Sequence, residues 1–82
     1  MSRFEEIAGL GPRIGEILRQ ARIKAGRSQA DVAEAAGVNR ITVTDLEGGK
    51  VENPKSQTVF VLCRELNVRL GSIVDQFERS LV

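Results

Sequence analysis

The chain has 82 residues, 41% of them hydrophobic and 28% charged, which is the composition of one small globular domain with a thin stability margin. Having no histidine, no tryptophan, no tyrosine and one cysteine removes the usual general base, most metal sites and any internal disulfide. No catalytic residue, metal site or cofactor is therefore expected. No apolar run approaches the roughly 20 residues that span a membrane, and no signal-peptide pattern opens the chain. A cytoplasmic protein with a buried, reduced thiol at Cys63 fits best.

The net charge of +1 is uneven. Arg13, Arg19, Arg22, Lys24 and Arg27 face only Glu16 across residues 13–27, a balance of +4. Residues 28–50 carry Arg40 and Lys50 against Asp31, Glu34, Asp45 and Glu47, a balance of −2.

Residues 1–11 read as a lead-in that Phe4 and Ile7 pin to the body. Pro12 suits the first turn of a helix, and Ile14, Ile17, Leu18 and Ala21 recur at helical spacing up to a stop at Gly26. That predicts a first helix over about 12–25. Ser28 is an N-cap for a second helix, with Asp31 as a short version of the capping-box acid. Val32, Ala33 and Ala36 form its inner face, and Gly37 fits a left-handed turn position. Asn39 caps a third helix, in which Val43 and Leu46 point inward and Gly48-Gly49 ends the run.

Neither Gly9-Leu10-Gly11 nor Gly48-Gly49 is a phosphate loop, because no Gly-Lys-Ser/Thr follows. A polar loop over 50–56 leads to a fourth helix, about 56–66, with Val59, Leu62, Cys63 and Leu66 inside and Asn67 at its close. The fifth helix starts near Leu70 and runs toward Leu81, with Ile73, Val74, Phe77 and Leu81 in one apolar stripe. The expected organisation is a single domain over 1–82: lead-in 1–11, core 12–75, helical extension 76–82.

The run from Ser28 to Lys50 is the layout of a helix-turn-helix, whose second helix enters the DNA major groove. Gln29, the stretch Ala33-Glu34-Ala35-Ala36-Gly37-Val38, the stretch Leu46-Glu47-Gly48-Gly49-Lys50 and Leu66-Asn67-Val68 together resemble the lambdoid phage repressor and Cro family, the XRE-type regulators, over about residues 13–75. The resemblance implies an all-α, five-helix lambda-repressor-like domain with the motif at helices two and three. It implies that Gln29, beside the Ser28 cap, bonds a phosphate and braces the reading helix. By the same resemblance Asn39, Arg40, Ile41, Thr44 and Asp45 face the groove, and Thr42 and Lys50 touch the DNA backbone. Arg22 and Glu47 match a partly buried salt bridge of the family.

The chemistry of these residues adds detail. The fork of Arg40 suits guanine O6 and N7 or a phosphate, Ile41 suits a thymine methyl, and Thr44 suits a base or a phosphate. Asp45 is a departure from the family: a carboxylate accepts from cytosine N4 but repels phosphate. Arg27 is another, at a place usually hydrophobic, and is expected to snorkel and lend charge toward DNA.

A domain this small reads few base pairs, so a homodimer on a palindromic operator is expected, acting as a repressor on double-stranded DNA. Val61, Ile73, Val74, Phe77, Leu81 and Val82 offer more apolar surface than one small core needs, and are the expected interface. Cover by Phe4 and Ile7 is the alternative. A second functional reading is the antitoxin of a toxin–antitoxin pair, a module that holds a toxin protein and also binds DNA. Little chain follows helix five, which favours the regulator. A third reading, a poor DNA binder, rests on Asp45.

Overall fold

The computed structural model describes residues 10–80, apart from the side chains of Gln76, Phe77 and Ser80. Five helices follow in order: α1 (Leu10–Lys24), α2 (Gln29–Ala36), α3 (Arg40–Glu47), α4 (Ser56–Leu66) and α5 (Leu70–Ser80). No strand occurs among the described residues, and the stretch 59–63, ambiguous by its apolar run, is helical. None of these helices is long and apolar enough to cross a membrane. Phe4, Ile7, Leu81 and Val82 lie outside the described residues.

α1 begins two residues earlier than Pro12. Pro12 still falls in the first turn, where a helix N–H has no internal partner, so the ring removes nothing the helix uses. Leu10 and Gly11 are thus part of the helix, not of a lead-in, and Leu10 packs against the core.

One core ties the five helices together. Ile14 and Leu18 of α1 meet Val32 and Ala33 of α2, Val43 and Leu46 of α3, Val59, Leu62 and Cys63 of α4, and Ile73 of α5, each at most 6% exposed. Val32, Leu46, Leu62 and Ile73 lie at its centre, where each buried side chain contributes roughly 1.5–3 kcal/mol. Cys63 is part of this core, and burial pushes its thiol pKa up, away from reactivity. Ile73 is 1% exposed, which removes it from the expected dimer surface: it is the anchor by which α5 holds to its own protomer.

Two glycines of α1 set how closely α3 approaches. A Cβ on Gly15 would run into the Leu46 carbonyl at the end of α3, and one on Gly11 into the carbonyls of Val51 and Glu52 just beyond it. Being four apart, they lie on one face of α1, and along that face backbone meets backbone.

Candidate nucleic-acid interface

The turn between α2 and α3 is built from local signals. The Ser28 hydroxyl accepts from the Asp31 N–H at 3.0 Å and starts α2. Gly37, at φ 75°, takes the left-handed conformation that ends it, and the Val38 N–H returns to the Ala33 carbonyl at 2.9 Å. Asn39 Oδ1 then accepts from the Ile41 N–H at 2.8 Å and starts α3.

α3 buries Val43 and Leu46 and turns Arg40, Ile41 and Thr44 outward. Ile41 is 67% exposed, at the first turn of the helix. Asp45 is half-buried, and its carbonyl accepts from the Lys50 N–H at 3.0 Å. Thr42 is half-buried and lines a hollow with Val51, Asn53, Pro54, Lys55 and Thr58. It therefore sits on the side of α3 that faces the 50–56 loop, away from Thr44. Ser28, Asn39 and Lys50 are exposed, Gln29 half-buried.

A polar network behind α3 fixes its position. Arg22 of α1 donates from Nε to Glu47 Oε2 at 2.7 Å and from Nη2 to Glu47 Oε1 at 2.9 Å. Its Nη1 donates to the Arg27 carbonyl at 2.7 Å. Gln29 Nε2 donates to Glu47 Oε1 at 3.0 Å, and Thr44 Oγ1 donates to Gln29 Oε1 at 2.8 Å. The side chains of Arg22 and Glu47 are 14% and 5% exposed, so this forked pair is shielded from water. Burial pulls the Glu47 carboxyl upward, but hydrogen bonds from Arg22 and Gln29, with the Arg22 charge, hold it below the usual carboxylate range. The hydrogen bond to Glu47 raises the Arg22 pKa against the opposing effect of burial.

Arg27 behaves differently from its expectation. It does not lend charge outward: its guanidinium donates to Glu65 Oε2 at 2.8 Å and to Asp31 Oδ2 at 3.3 Å. Both hydrogen bonds raise its pKa. Arg22 and Arg27 are thus engaged within the protein, whereas Arg13, Arg19 and Lys24 are exposed, Arg19 pairing with Glu16 at 3.8 Å on the surface of α1.

The expected interface residues fall in separate places. Val74 is 48% exposed and lines an apolar hollow with Leu10, Pro54, Val59 and Leu70, itself 46% exposed. Val61 is half-buried and lines a different hollow, with Ala35, Ala36, Arg64 and Glu65. The structure does not bring Val61 together with the α5 stripe. The side chain of Phe77 and the whole of Leu81 lie outside the described residues.

Sequence reasoning missed the α1 glycine pair, Leu70 beside Val74, and the Arg27–Glu65 tie. The Gly-x-x-x-Gly spacing at Gly11 and Gly15 was a visible signal; the tie from 27 to 65 left none. Among the described residues no cluster of three potential metal ligands occurs.

The chain has relatives. The helix-turn-helix family matches over residues 18–73, more than half of the sequence. The transcriptional regulator ClgR of Mycobacterium tuberculosis, in strain CDC 1551 / Oshkosh and in strain ATCC 25618 / H37Rv, is 31% identical over 67 residues. The match covers 80% of this chain, which spans 59% of the length of these curated relatives. With the capped α2–α3 pair and its all-helical frame, this match establishes that the chain belongs to the XRE-type helix-turn-helix family.

Proposed function

We propose that this protein is a sequence-specific DNA-binding transcriptional regulator that inserts α3 into the major groove. The observation that carries the reading is the division of α3 into two faces. Val43 and Leu46 lock one face into the core, while Arg40, Ile41 and Thr44 stand exposed on a helix too short to need them for packing. An exposed isoleucine at the start of such a helix has a use on a thymine methyl, and the Arg40 fork has one on guanine. The likeness to a protein named as a transcriptional regulator supports the same conclusion.

The finer reading is a homodimeric repressor on a palindromic operator, with two α3 helices about 34 Å apart. Leu70 and Val74, half-exposed beside an apolar hollow, support a self-association surface on α5, with Phe77 and Leu81 continuing the same sequence stripe. Val61 belongs to a second surface. The residues proposed to approach DNA are Ser28, Gln29, Asn39, Arg40, Ile41, Thr42, Thr44, Asp45 and Lys50.

The test is selection of the purified protein against a random duplex library at a fixed, moderate salt concentration. Two half-sites one helical turn apart support a dimeric reader. Weak, salt-sensitive retention with no enriched sequence overturns the sequence-specific reading and leaves a protein partner, such as a toxin, as the target. Arg40→Ala is expected to cost about 1–3 kcal/mol of binding at one base position. A loss equal on all sequences instead makes Arg40 a phosphate contact.

A further inference from the structure

We infer that Thr44 meets DNA as a hydrogen-bond acceptor only, and so selects a base that presents an exocyclic amine, adenine N6 or cytosine N4, to the major groove. The inference rests on α3 being the helix that enters the groove.

The ionised carboxylate of Glu47 can only accept hydrogen bonds. Its Oε1 receives Arg22 Nη2 at 2.9 Å and Gln29 Nε2 at 3.0 Å. The Gln29 amide is thereby fixed in one orientation, nitrogen toward Glu47 and oxygen toward α3. That oxygen lies 2.8 Å from Thr44 Oγ1, and an amide oxygen has no hydrogen to give. Thr44 must therefore be the donor. Its other close neighbour, the Arg40 carbonyl at 3.1 Å, is also an acceptor. Whichever of the two receives the single hydroxyl hydrogen, none remains for a ligand.

What Thr44 turns outward is lone pairs. A threonine with a free rotor can bond to a phosphate oxygen or to guanine O6, and this one can bond to neither. The bases that answer a lone acceptor in the major groove are those carrying an amine: adenine through N6 and cytosine through N4. Arg22 is thus a positioning residue for base choice at a distance, since it holds the carboxylate that orients the amide that orients the hydroxyl.

The test is a chemical double-mutant cycle on the site enriched from the random library. Comparing enrichment by the wild type and by Thr44→Val locates the base whose preference depends on the hydroxyl. That base is then replaced by an analogue lacking its amine, purine for adenine or 2-pyrimidinone for cytosine. Separately, the N7 acceptor of the purine in that base pair is removed with a 7-deaza analogue. Deleting the amine is expected to weaken wild-type binding about fivefold, the size of one neutral hydrogen bond, and to leave Thr44→Val unchanged. Thr44→Ser, which keeps the hydroxyl, is expected to match the wild type. Coupling of Thr44 to the N7 deletion overturns the inference, as does a defined site indifferent to Thr44→Val. A wild-type protein that enriches no sequence overturns the groove reading and this inference together, so the two failures are distinguishable.

Discussion

α3 and α5 are both short amphipathic helices on the same core, yet they are held by different forces. α3 is fixed by directional bonds: two from Arg22 to Glu47, one from Gln29 to Glu47 and one from Thr44 to Gln29, with α1 backbone against its end. α5 is held through the buried Ile73 and leaves Leu70 and Val74 half-exposed. Hydrogen bonds and ion pairs specify angle and orientation, whereas apolar contact is non-directional and rewards area. On the proposed reading, the helix that presents side chains to DNA is the one with the directional support. The helix with surplus apolar surface suits an association that tolerates small adjustments.

Removing the polar support should break this contrast most. Glu47→Ala leaves the shielded Arg22 charge without its carboxylate and frees the Gln29 amide, and is expected to cost about 3 kcal/mol or more in denaturant unfolding. The wild type should also lose stability in acid. The folded-state pKa of Glu47 lies below its unfolded value, so its contribution is present above the unfolded carboxylate range and disappears as pH falls through the folded value. In a pH series of unfolding midpoints, Glu47→Gln should flatten that acid limb; an unchanged limb assigns it to other carboxylates.

Gly15→Ala comes next. Alanine is the better helix former by about 1 kcal/mol, so a position without constraint would gain stability. Here the added methyl meets the Leu46 carbonyl, and a net loss of about 2 kcal/mol is expected by calorimetry. A gain would show that α1 and α3 can part without penalty.

On the other helix, Val74→Asp should leave the helical circular dichroism intact while halving the mass seen in sedimentation. A mass that does not change removes α5 from any self-association surface. The smallest effect is expected for Arg27→Ala, whose partners Glu65 and Asp31 are partly or largely exposed. A slight fall in thermal midpoint at low salt should vanish at high salt, as screened surface pairs require.

What could be read from the sequence follows the range of the interactions. Ser28, Gly37 and Asn39 were legible because each cap acts within about one helical turn of itself. The inward positions Val32, Ala33, Val43 and Leu46 followed from helical period, and the Arg22–Glu47 pairing came from the family resemblance. Ile73 and Val74 share one stripe in sequence, and only the seating of α5 on α1 decides which is core and which is surface. Arg27 looked like a spare cation because Glu65 is 38 residues away. The orientation of Thr44 was illegible for the same reason: it depends on where α2 places an amide, and that amide in turn depends on α1.

At Gly15 no side chain separates the α1 backbone from the Leu46 carbonyl, so the spacing of the two helices at that point is set by main chain and not by the size of a side chain. Arg40, Ile41 and Asp45, whose side chains take no part in the Arg22–Glu47–Gln29–Thr44 network, can be exchanged without touching that contact. On the proposed reading, a lineage carrying this glycine pair can change the bases those side chains meet while the docking angle stays inherited.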